Sequence, residues 1–204
     1  MNEALTNKSQ LATTCNKEPD TSSAGLKLPF ADSIFMVGMM GAGKTTIGRA
    51  LAKRLGWQFI DLDHEIESRC GVRVAIIFEI EGEEGFRKRE SALLDEYTQR
   101  KGIVLATGGG AVIDGKNREW LRTRGVSVYL RASADELYRR VERDRSRPLL
   151  QTNNPKERLQ ELLQQREPFY TEIASLTFDT ADMPINRTTR ELILRLQDYG
   201  KSLS

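Results

Sequence analysis

The segment Gly38-Met39-Met40-Gly41-Ala42-Gly43-Lys44-Thr45 constrains this chain more than any other. It satisfies the pattern G-x-x-x-x-G-K-[ST], in which each fixed position has a physical task. Glycines let the backbone wrap an anion with its N–H groups turned inward. Lys44 brings a charge to the β- and γ-phosphates of a nucleotide, and the Thr45 hydroxyl is of the type that ligates Mg2+. A helix beginning here adds the positive end of its dipole. The flanks have the required form. Ser33-Ile34-Phe35-Met36-Val37 is a short apolar run of strand type. Lys44 to Leu55 carries Ile47, Ala50, Leu51 and Leu55 on one helical face, and Gly56 stops it. Strand, loop and helix in this order imply binding of a nucleoside triphosphate.

A length of 204 residues suits one domain with a substantial core. Lys and Arg number 31 against 29 Asp and Glu, a net charge of +2, whereas a nucleic-acid surface calls for a stronger basic excess. No apolar stretch approaches the roughly 18–20 residues of a membrane span. Cys15 and Cys70 have no metal-ligand spacing and read as free thiols of a reducing compartment, a disulfide between them being the lesser alternative. Residues 1–29 are rich in Ser, Thr, Asn and Lys, without a signal-peptide core, and contain Glu3, Glu18 and Asp20 but no Arg. They read as a disordered tail, with an organellar address as the minor reading, before a folded domain over 30–204.

Beyond the first unit, strand-like and helix-like segments alternate. Trp57 to Asp61 reads as a strand, Leu62 to Cys70 as a helix, and Phe86 to Arg100 as a stronger helix. Gly102 to Ala106 is apolar on both faces, as a central parallel strand must be. Val126 to Leu130 is the next strand, and Ser133-Ala134-Asp135-Glu136 a capping box opening another helix. A helix runs from near Pro155 and ends at Arg166-Glu167-Pro168-Phe169-Tyr170; Leu176 to Asp179 is a late strand, and Thr189 to Tyr199 closes the chain. Such alternation predicts a three-layer α/β/α sandwich around a parallel sheet of about five strands. Ligands then lie outside the carboxyl ends of the strands.

Three segments fall at those ends: the phosphate loop, Asp61-Leu62-Asp63 and Gly108-Gly109-Gly110. Near a nucleotide, one aspartate can help hold hydrated Mg2+ while the other accepts a proton or hydrogen bond from an acceptor hydroxyl; a helix cap explains the spacing equally well. The triple glycine allows close approach to the backbone, or is simply a flexible turn. Arg87 and Glu90 share a helical face near a helix start; Arg87 is either a carboxylate clamp or part of a solvated charge cluster. Arg145-Ser146-Arg147-Pro148-Leu149-Leu150, followed by Thr152 to Pro155, has the character of a lid that brings a guanidinium to the phosphates. Arg166, at a helix end, reads as a complement to the helix dipole. His64 reads as a solvated neighbour of Asp63, and Trp57 and Trp120 as packing residues.

Taken in order, these residues resemble the shikimate kinases, small kinases of the P-loop, nucleoside-monophosphate-kinase type. The combination is Gly-Met-Met-Gly-Ala-Gly-Lys-Thr-Thr, Asp61-x-Asp63, Gly-Glu-x-x-Phe-Arg-x-x-Glu, Thr-Gly-Gly-Gly, Arg-Pro-Leu-Leu and Arg-x-Pro-x-Tyr, spread over about residues 33–200. The resemblance implies ATP-dependent phosphorylation of the 3-hydroxyl of shikimate, in the chorismate route to aromatic amino acids, by a P-loop fold with a mobile lid near 145–155. It places the ATP phosphates on Gly41, Ala42, Gly43, Lys44, Thr45 and Thr46, with Arg147 as the lid arginine. It places shikimate on Asp63, Arg87, Gly109 and Arg166, and Mg2+ on Thr45 and, through water, Asp61. Lys44, Asp63 and Arg147 are the expected catalytic residues. A cytoplasmic monomer is expected, with shikimate and ATP as partners and neither nucleic acid nor membrane. Adenine contacts fall by position near Asn186-Arg187. A guanine-reading switch protein is disfavoured, because the Asn16-Lys17 pair precedes the phosphate loop. Kinases of gluconate or of nucleoside monophosphates are the nearer alternatives.

Overall fold

The structure, a computed structural model, describes residues 28–142, 148–180 and 183–203. The chain runs through β1 (Ser33–Val37), α1 (Lys44–Leu55), β2 (Gln58–Asp61), α2 (Leu62–Cys70) and α3 (Val74–Thr98). It continues through β3 (Ile103–Ala106), α4 (Gly115–Thr123), β4 (Val126–Arg131) and α5 (Ala134–Val141). Last come α6 (Pro155–Ile173), β5 (Leu176–Asp179) and α7 (Ile185–Ser202).

Among the described residues the strands form one five-stranded parallel sheet in the order β2-β3-β1-β4-β5. Ile34 at its centre is in register with Val104 on one side and Val126 on the other. Every residue of β1 and β3 is buried, which explains their unbroken apolar character. One helical layer has α1 packed on α7 and over β2 and β3; in the other, α4 packs on α3, α6 and β4. The chain leaves β3 on one side of β1 and enters β4 on the other. This switch opens a crevice at the carboxyl ends of the strands, where the ligand-binding loops were expected.

Local signals set most boundaries. Gly56 ends α1 in the left-handed region at φ 69°. Ser133 and Glu136 make the expected capping box on α5, the Ser133 N–H donating to Glu136 Oε2 at 2.9 Å. Other boundaries are tertiary. The helix expected from Phe86 begins twelve residues earlier, at Val74, whose N–H donates to the Glu67 carboxylate of α2 at 2.9 Å. It breaks at Gly82, with φ 70° and ψ −177°, so Phe86 lies early in the second of two segments. Helix α6 runs three residues past the expected end at Tyr170, burial of Ile173 carrying it through. That places Arg166 inside the helix, which removes the dipole-complementing reading. Helix α7 starts at Ile185, before the expected Thr189. Leu28, assigned to the tail, is buried in the core, and Phe30 packs edge-on against Tyr199. Residues 1–27, with Cys15, and Arg145, Ser146 and Arg147 of the expected lid lie outside the described residues.

Candidate active site

The phosphate loop joins β1 to α1 as its sequence requires. Gly43, the residue before α1, sits at φ 92°, a conformation open to glycine and strained for other residues. It leaves the first N–H groups of α1 facing a cleft. Lys44 reaches back over the loop, its ammonium donating to the carbonyls of Gly38 at 2.8 Å and Met39 at 2.9 Å. The Thr45 hydroxyl donates to Asp61 Oδ2 at 2.6 Å, tying the start of α1 to the end of β2. Asp61 also accepts, at 3.5 Å, from the His64 N–H, so it caps α2 as well as facing Thr45. The helix-cap reading of that aspartate holds.

Two cavities occupy the crevice. One, of about 560 Å3, is lined by Gly41, Ala42, Gly43, Lys44, Thr45 and Thr46. Its far end is formed by Arg140, Thr180, Met183, Ile185 and Thr188, so the lining of that end falls on neighbours of Asn186 and Arg187 rather than on those two residues. The other, of about 900 Å3, is lined by Phe59, Phe78, Arg87, Glu90, Arg166 and the triple glycine among others. Thr45, Asp61, Asp63, Gly109 and Met40 line both. The structure thus brings together every expected site residue except Arg147, which lies outside the described residues.

The larger cavity is built from buried charge. Glu90 has no exposed surface and pairs with Arg87 Nη1 at 2.6 Å; Glu83 accepts from Arg87 Nη2 at 2.9 Å. The solvated-cluster reading of Arg87 and Glu90 is therefore overturned. Arg166 is 4% exposed. Burial lowers its guanidinium from the ordinary value; Tyr170 opposes this and the charge of Arg87 adds to it. Burial lowers Arg87 too, but Glu90 and Glu83 outweigh it and hold that guanidinium above its ordinary value. Burial pushes the Glu90 carboxyl up to about 7 against the pull of Arg87, with Asp63 adding to the rise. Its Oε1 is buried and makes no hydrogen bond. Two guanidiniums held in a desolvated wall suit an anionic ligand that completes their pairing.

The triple glycine has a reason that its sequence left open. A Cβ on Gly108 would lie 2.1 Å from Glu90 Oε1 and 3.1 Å from Asp63 Oδ1. One on Gly110 would lie 2.2 Å from Arg87 Nη2. The missing side chains make room for the protein's own charged groups. Glu90 was read only as a partner of Arg87, and its burial and its contact with Gly108 carry no local sequence signal. Arg140 was not singled out at all; it donates to the Thr180 carbonyl at 2.8 Å and to Gly41 O at 3.4 Å, bridging the residue after β5 to the phosphate loop.

Among the described residues no three or more His, Cys, Asp or Glu side chains form a metal cage. The Thr45 hydroxyl beside Asp61 is nevertheless an oxygen pair of the kind Mg2+ accepts when phosphate and water supply the remaining ligands.

A family model described as shikimate kinase matches residues 40–197. The shikimate kinase of Bordetella avium is 60% identical over 177 residues, covering 87% of this chain and 85% of its own length. The structure of the Acinetobacter baumannii shikimate kinase in complex with shikimate aligns at a TM-score of 0.79 with 48% identity, covering 82% of this chain and 94% of that one. That of the Bacteroides thetaiotaomicron shikimate kinase aligns at 0.74 with 36% identity, covering 82% and 99%.

Proposed function

The chain belongs to the shikimate kinase family, and from that premise we propose how its residues divide the work of moving the γ-phosphoryl group of ATP to a hydroxyl of shikimate. The reaction itself, an ATP-dependent phosphorylation in aromatic biosynthesis, follows from the family. Shikimate is a carboxylate on a ring bearing three hydroxyls. The larger cavity offers each feature a partner: Arg87 and Arg166 for the carboxylate, Asp63 for the reacting hydroxyl, and the Gly109 backbone for the ring.

In this reading the phosphate loop and the start of α1 hold the triphosphate through N–H groups, and Lys44 turns from the loop carbonyls to the phosphates. Asp63 accepts the hydrogen bond of the acceptor hydroxyl and orients its lone pair at the γ-phosphorus. The new O–P bond forms as the bond to the β–γ bridging oxygen breaks, ADP departs, and the hydroxyl proton passes to the Asp63 carboxylate. Positioning and charge stabilisation are most of what such a transfer asks of a protein. Thr45 and Asp61 would hold Mg2+, which when bound would neutralise phosphate charge. Arg147 is assigned to the phosphates by its place in Arg-Pro-Leu-Leu. We read the protein as a cytoplasmic monomer, and its near-balanced charge suits small substrates better than nucleic acid.

One observation carries this reading: the two cavities meet at Thr45, Asp61, Asp63 and Gly109. The test is ADP release with shikimate, gluconate and nucleoside monophosphates assayed side by side. Turnover with shikimate at least a hundredfold above the others is expected; preference for gluconate or a nucleotide would replace the reading.

A further inference from the structure

Tyr170 is fully buried on α6, and its hydroxyl sits where three parts of the site converge. It donates to the carbonyl of Gly109. It lies 3.4 Å from the sulfur of Met39 in the phosphate loop. The Arg166 guanidinium, one turn earlier on the same helical face, lies beside it. The ring is held from behind by stacking on Tyr129, with centroids 5.1 Å apart and planes at 24°. Gly109 itself rests on the phosphate loop, a Cβ there being 3.4 Å from Met40 N and 3.5 Å from Gly38 O.

A single hydroxyl thus touches the loop assigned to the phosphoryl donor, the turn assigned to the acceptor and the helix that carries a carboxylate clamp. We propose that the Tyr170 hydroxyl is a positioning group that fixes the spacing between phosphoryl donor and acceptor, an inference that rests on the site reading above. Tyr170 contacts neither ligand in this account; it acts through Gly109, Met39 and Arg166. Burial raises its hydroxyl well above the ordinary tyrosine value, so it stays a donor across the working pH range. A displacement of order 1 Å between reacting groups costs about a hundredfold in rate, so the effect belongs in kcat rather than in binding.

The experiment compares wild type, Tyr170→Phe and Tyr129→Phe. Phe at 170 keeps the stacked ring and removes only the hydroxyl. Tyr129 is the matched control, its hydroxyl pointing to Glu167 at 3.5 Å. Titration calorimetry gives Kd for ATP and for shikimate separately, and steady-state kinetics gives kcat. Tyr170→Phe is expected to lower kcat by about 10- to 100-fold, with both Kd values within threefold of wild type, while Tyr129→Phe stays within twofold in kcat. A kcat for Tyr170→Phe within twofold of wild type overturns the proposal, as does a loss of binding as large as the loss of rate. If Tyr170→Phe does not fold, Met39→Leu, which removes the sulfur at nearly constant volume, decides: kcat must fall at least threefold, and an unchanged kcat overturns the proposal. A wild type that binds ATP but not shikimate would instead remove the site reading itself, and the proposal with it.

Discussion

The two halves of the site are made of different material. The phosphate-facing part of the nucleotide half is one continuous segment whose proposed function lies in its backbone: glycines at positive φ, a helix start and one lysine. The acceptor half is assembled from α2, α3, α6 and the turn after β3, and its function lies in side chains that are buried while charged. A backbone cradle needs little from the rest of the protein and recurs wherever the local sequence recurs. A desolvated pair such as Arg87 and Glu90 persists only because each charge faces the other and the fold closes around them. Specificity for the acceptor should therefore be far more sensitive to single charge changes than nucleotide binding is.

Asp63 stands where the halves meet and should give the largest effect. Asp63→Asn is expected to lower kcat by about 10²- to 10⁴-fold, the range of a lost proton acceptor, with the Kd for ATP within threefold of wild type; single-turnover kinetics checks it. Equal losses in both would mean that the halves are not separable.

Arg87→Ala removes one of the two proposed carboxylate clamps. A charge-assisted hydrogen bond contributes about 1.5–3 kcal/mol, so the KM for shikimate should rise roughly 10- to 150-fold while that for ATP barely moves. An equal rise for both substrates would reassign Arg87 to structure.

Glu90 sharpens the comparison through pH. Burial holds its carboxyl near 7 in the folded protein, against an ordinary 4.5. Between those values the folded state binds more protons than the unfolded one, so this group's contribution to stability falls as pH rises from 4.5 to 7 and is level outside that window. The shift corresponds to about 3 kcal/mol. Glu90→Gln should remove that part of the slope, as urea unfolding at pH 5 and pH 8 would reveal. An identical slope in wild type and variant would show that Glu90 is ionised in the folded protein throughout.

On the nucleotide side, Gly43→Ala forces a Cβ into a left-handed conformation and against Ile47 Cδ1 at 3.2 Å. A penalty of about 1–2 kcal/mol predicts an ATP Kd weaker by roughly 5- to 30-fold, with shikimate binding measured calorimetrically unchanged. Loss of shikimate binding would contradict the independence of the two halves.

The same contrast governs what the amino-acid sequence disclosed. The phosphate loop, the capping box at Ser133 and the buried strands β1 and β3 rest on local chemistry, and all were legible. Asp61, Asp63, Arg87, Gly109 and Arg166 were legible as candidates, but only their order along the chain, through the family it resembles, and not their spacing alone, assigned them proposed roles. The start of α3 at Val74 was hidden because its cap, Glu67, belongs to another helix. The last turn of α6, to Ile173, was hidden as well, because what holds it is burial of Ile173 in the core, and Pro168 inside the helix costs one hydrogen bond that this burial outweighs. The burial of Glu90 was hidden for the same reason, since no local pattern records that Gly108 lies against it. The far end of the nucleotide cavity, with Arg140 and Thr188, is likewise a meeting of distant elements.

The central claim is that a triphosphate and an anionic ring alcohol meet end to end at Asp63. A crystal structure with a non-hydrolysable ATP analogue, Mg2+ and shikimate tests it most directly. The account predicts the γ-phosphate at Lys44 and Thr45, the shikimate carboxylate on Arg87 and Arg166, and one ring hydroxyl between Asp63 and the γ-phosphorus. Shikimate bound with its carboxylate away from both arginines, or with no hydroxyl facing the phosphate, would contradict it.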